Sequence, residues 1–64
     1  MSNVLDAARN ASFEARVARM GNIEACIHVT RAVKAIDPDV VDAWVFPGGI
    51  EGDIQMANGC VLFF

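Results

Sequence analysis

The sequence predicts a small α+β domain of two layers, with helices on one face of a sheet that contains antiparallel strands. Three observations predict it. Apolar residues recur at helical spacing through 22–36, between Gly21-Asn22 and Asp37-Pro38. A β-branched and aromatic run, "VVDAWVF", follows at 40–46. "PGG" at 47–49 and Asn58-Gly59 then punctuate the later apolar segments as turns. The predicted order is α-β-α-β-β in one domain spanning residues 1–64.

Taken in order, "NVLDAARNA" (3–11) reads as a short helix. Asn3 suits the N-cap and Asp6 lies near the positive helix end, with Val4, Ala7, Ala8 and Ala11 forming a stripe. Continuing this helix to Met20 would put Phe13, Val17 and Met20 opposite Ala15 and Ala18. Two opposed apolar faces are hard to bury in so short a chain. The alternation from Phe13 to Val17 instead predicts a strand over 13–19.

Residues 22–36 predict a helix with Asn22 as N-cap and Asp37-Pro38 as its stop. Glu24, His28, Arg31 and Ala35 form its solvent strip. Residues 40–46 predict a strand with Trp44 and Phe46 on one face and Val45 on the other. For 53–64 two readings stand: one bulged strand, or a hairpin about Ala57-Asn58-Gly59.

Composition narrows the function classes. At 64 residues and 55% apolar content, the chain suits a marginal globular domain that meets a partner or a second copy of itself. It has no apolar run long enough for a membrane span, and "MSNVLDAARNAS" lacks the pattern of a secretory signal, so a cytoplasmic setting is expected. Charge is polarised. Arg9, Arg16, Arg19, Arg31 and Lys34 all precede residue 35 and outweigh Asp6, Glu14 and Glu24. Asp37, Asp39, Asp42, Glu51 and Asp53 follow with no basic residue among them. The acidic half would repel phosphates, so direct nucleic-acid binding is not expected, whereas a basic protein surface would be attracted.

The spacing in "RMGNIEACIHVTRAVKAIDPDVVDAWV" resembles a ferredoxin-like (split β-α-β) fold. At pattern level it is similar to the first half of a heavy-metal-associated domain, through Met20, Val29, Ala32, Val33, Val40 and Val45. The resemblance implies a right-handed crossover from strand 13–19 to strand 40–46. That family's two metal-loop cysteines fall on Asn22 and Ala25, and Cys26 stands one place off, so its metal transport is not implied.

Residues 22–36 as a helix send Cys26 and His28 in different directions, which prevents joint catalysis or a metal clip within it. Cys26, His28 and Cys60 remain as an alternative metal- or thiol-handling set, short of the three or four ligands zinc takes. Gly48, Gly49 and Gly52 lack the following helix and lysine of a phosphate loop. Asp37, Asp39 and Asp42 have no companion His, Ser or Lys for acid–base work. No enzyme and no cofactor is expected. The chain reads as a small interaction protein of the inhibitor or adaptor type, such as phages and mobile elements encode. Asp39, Asp42, Trp44, Glu51, Asp53, Phe63 and Phe64 are the predicted contact residues. For Asp37, Asp39 and Asp53 the simpler role is as caps and turn residues. Phe63 and Phe64 point to opposite faces of a strand, so this apolar end either packs against the N-terminal helix or pairs in a homodimer; a homodimer is expected, and a subunit that works only in such an assembly is a further alternative.

Overall fold

The computed structural model describes residues 3–64. Two helices, α1 (Asn3–Val17) and α2 (Asn22–Lys34), precede three strands, β1 (Val40–Val45), β2 (Gly52–Met56) and β3 (Val61–Phe63). The strands form one antiparallel sheet in the order β1-β2-β3. The fold is α+β and two-layered as predicted, but its order is α-α-β-β-β.

The difference lies in residues 13–19. They are no strand: α1 continues through them to Val17, so there is no β-α-β crossover. Four features favour the longer helix. Ala7, Ala8, Ala11 and Ala15 carry high helix propensity. Val4, Ala8, Ala11 and Ala15 form one buried stripe, narrow enough to lie close to α2. Phe13 and Val17 stay on the surface, 59% and 67% exposed, so the second apolar face is left unburied. Finally, Ser12, immediately before the disputed stretch, is buried and donates to the Ile50 carbonyl at 2.7 Å, tying α1 to the β1–β2 loop.

Helix α1 ends in a Schellman arrangement. Met20 N–H reaches the Ala15 carbonyl and Arg19 N–H the Arg16 carbonyl, both at 3.0 Å. The left-handed residue is Arg19, at φ 58°. Helix α2 begins one residue earlier than a cap at Asn22 would have it. Gly21 is the N-cap, in extended conformation and with no side-chain cap bond, and Asn22 is the first helical residue. The helix stops at Lys34. Asp37 then accepts from Asp39 N–H at 2.9 Å, a local turn of the kind expected for it.

Strand β1 carries a bulge. Val40 pairs with Met56 and Asp42 with Gln55, so Val41 has no opposite number. The extra residue brings Val40, Ala43 and Val45 together on the buried face. There they meet Ile54 and Phe64 beneath Val29 and Val33 of α2 and Val4, Ala8 and Ala11 of α1. Residues 53–64 form the hairpin, not one long strand. Asn58 Oδ1 accepts from Cys60 N–H at 2.9 Å and Gly59 takes φ 89° in the turn.

Candidate interaction surface

The strand register sorts the side chains into two faces. Ala43, Ile54 and Leu62 form one inner row and Val45, Gly52 and Phe64 another; Gly52 and Phe64 exchange both backbone bonds at 3.0 Å. The residues between them lie on the opposite face, although Asp42, at the β1 edge, turns its Oδ1 back to accept from Thr30 Oγ1 of α2 at 3.3 Å. On that outer face one row is Trp44, Asp53 and Phe63, and the next is Asp42, Gln55 and Val61. Phe46 N–H bonds to the Glu51 carbonyl at 2.8 Å and adds a third row. The Trp44 and Phe46 rows each set a carboxylate beside a large apolar group, and in the remaining row Gln55 stands between Asp42 and Val61. Trp44, Phe46, Val61 and Phe63 are all exposed.

Asp53 occupies the centre of this face. Its Oδ1 is closed off from solvent and has no hydrogen-bond partner among the described residues. Its cross-strand neighbours are Trp44 and Phe63. Leaving a buried acceptor unsatisfied costs about 1–3 kcal/mol.

The structure brings Asp42, Trp44, Glu51, Asp53 and Phe63 of the predicted contact set onto one side of the sheet. Asp39 lies off that face, in the turn before β1, where its carbonyl accepts from Ala57 N–H at 2.8 Å. Phe64 faces inward and is part of the core.

Sequence reading missed the neighbouring groove. A cleft of about 420 Å³ runs between α2 and β1 and ends at Trp44. Ile23 and Ile27 line it with Arg31, Lys34 and Asp42. Ile23 is 73% exposed. The signal was present as the spacing 23, 27, 31, 34 along one helical stripe.

The Cys26, His28 and Cys60 set is not gathered. Cys26 is buried against β1, where its sulfur accepts from Val45 N–H at 3.2 Å. His28 Nε2 lies 3.2 Å from Glu14 Oε1 on α1. Cys60 is exposed in the β2–β3 turn. Among the described residues no three His, Cys, Asp or Glu side chains group to hold a metal ion, and no helix is long and apolar enough to cross a membrane.

No protein-family model matches this chain, and neither a curated protein nor a solved structure does.

Proposed function

We propose that this chain is a non-enzymatic interaction protein, an inhibitor or adaptor, that seats the outer face of its sheet on a basic surface of a larger protein. The observation that carries the reading is the row Trp44–Asp53–Phe63. An exposed tryptophan and phenylalanine flank a carboxylate whose inner oxygen lacks a donor among the described residues. Aromatic side chains of this kind are the usual anchors of protein interfaces. Asp42 and Glu51 in the adjacent rows extend the negative field, which speeds encounter with a cationic partner and fixes its orientation. Arg31 and Lys34 border the groove beyond Trp44 and would set the limit of that negative contact.

The test is capture of a partner from the native host's lysate on immobilised chain, followed by affinity measurement with the purified partner. Affinity should fall several-fold as salt rises from about 0.05 M to about 0.5 M. Trp44→Ala should weaken binding by about 2 kcal/mol or more, roughly thirtyfold. A partner bound equally well by Trp44→Ala and indifferent to salt would place the contact elsewhere.

A further inference from the structure

The two edges of the sheet differ. Along the outer edge of β1, Val45 N–H reaches Cys26 Sγ at 3.2 Å and Ala43 N–H reaches Thr30 Oγ1 at 3.2 Å, so α2 seals that edge. On β3 the paired bonds between Gly52 and Phe64 fix the alternation. Leu62 therefore turns its backbone toward Ile54, and Val61 and Phe63 turn theirs outward. No side chain on β3 guards this edge: residues 60–64 include no charged side chain and no proline.

We propose that β3 pairs antiparallel with β3 of a second copy of this chain, about a twofold axis through Leu62. In that register the N–H and C=O of Val61 meet those of Phe63 of the partner subunit, and symmetry repeats the exchange. On the outer face Val61 packs against Phe63 of the partner subunit. On the inner face the two half-buried Leu62 side chains cover one another at the margin of the two cores.

A second copy fits this edge by charge as well. The uncharged seam sets no like charges opposite each other. The nearest outer-face carboxylates, the two Asp53 groups, lie three strand spacings across and two residues along from each other, about 16 Å, beyond the screening length of about 8 Å at physiological salt. The sealed β1 edge ends the assembly at two chains, a closed arrangement of six strands. The seam is short, well under the roughly 1,000 Å² of a tight interface, so the dimer is a reversible one. Its outer face would present two Trp44 rows to a partner, yet the pairing itself does not depend on the partner reading above.

Sedimentation equilibrium on the purified chain tests this without any partner. Between about 1 μM and 1 mM, the range of weak association, the mean mass should climb from 6.9 kDa toward twice that value. Val61→Pro removes an outward N–H that the monomer does not use and should raise the dissociation constant by about tenfold or more. Val61→Lys, which keeps the strand's own bonds, should act in the same direction. Leu62→Cys in a Cys60→Ser background should oxidise to a disulfide dimer, because directly opposed residues of this type lie about 4.5 Å apart between Cα atoms. Trp44→Ala, away from the seam, should leave the mass unchanged. A single-chain mass throughout, masses beyond two chains, or a dimer indifferent to Val61→Pro, Val61→Lys and Leu62→Cys would each overturn the proposal.

Discussion

Gly52 has almost no freedom to become anything else. A Cβ there would run into the Trp44 carbonyl oxygen and lie 2.7 Å from the Phe64 ring. Backbone cannot swing aside as a flexible side chain can, so Gly52→Ala should cost about 2–3 kcal/mol in urea denaturation. A loss below about 0.5 kcal/mol would mean that the strand shifts freely. Arg19 is the reverse case. It holds a left-handed conformation that suits glycine, and Arg19→Gly should raise stability by about 0.5–1 kcal/mol. A drop instead would show that the arginine side chain holds a contact of its own. These two positions also mark how far single residues were legible. Asp37 and Asn58 act in the turns their chemistry suggests. Arg19 carries no mark of its role, and the nearby Gly21, which does look like a turn residue, serves as an N-cap with negative φ.

At the scale of elements, α2 was readable from its one period and its flanking turn residues, and β1 from its β-branched and aromatic run before a Pro-Gly-Gly turn. Helix α1 was misread beyond Ser12 for a physical reason. A rule that apolar faces must be buried rejects a helix with two of them, and here Phe13 and Val17 remain in solvent. The buried alanine stripe and the Ser12–Ile50 bond decide the matter, and the second of these is tertiary, joining residues 38 apart. The docking of α2 on the β1 edge was equally invisible. Cys26 and Thr30 lie one helical turn apart, about 6 Å, and Val45 and Ala43 two strand residues apart, about 6.6 Å. The match lets two side chains serve two successive outward amides. Cys26→Val keeps the bulk and removes the acceptor. It should cost about 1–2 kcal/mol and speed hydrogen exchange at the Val45 amide, while Cys26→Ser, which restores an acceptor, should protect it. Equal exchange in the two variants would show that the sulfur contact contributes nothing.

For the whole molecule, the charge division read along the chain became a division between layers: every basic residue lies on or beside a helix, and the open face of the sheet carries Asp42, Glu51 and Asp53. That much of the candidate surface was legible, because strand alternation places Trp44 outward once 40–46 is recognised. What escaped was the solitary oxygen of Asp53, which depends on the rows above and below it. If that oxygen is retained for binding, stability and affinity should move oppositely. Asp53→Val should stabilise the isolated chain by about 1 kcal/mol in urea denaturation, through the lost desolvation cost and better strand propensity. The same substitution should weaken partner binding. A variant less stable than the native chain would show that the carboxylate has a donor in solution.

The unmatched Val41 has a consequence for how this surface can change. Because the irregularity absorbs one residue between the second helix and Asp42, the strand can be shortened by one there and still send Ala43 inward and Trp44 outward. The display side of the molecule is thus insulated from small length variation upstream, and the linker can drift while the tryptophan keeps its side.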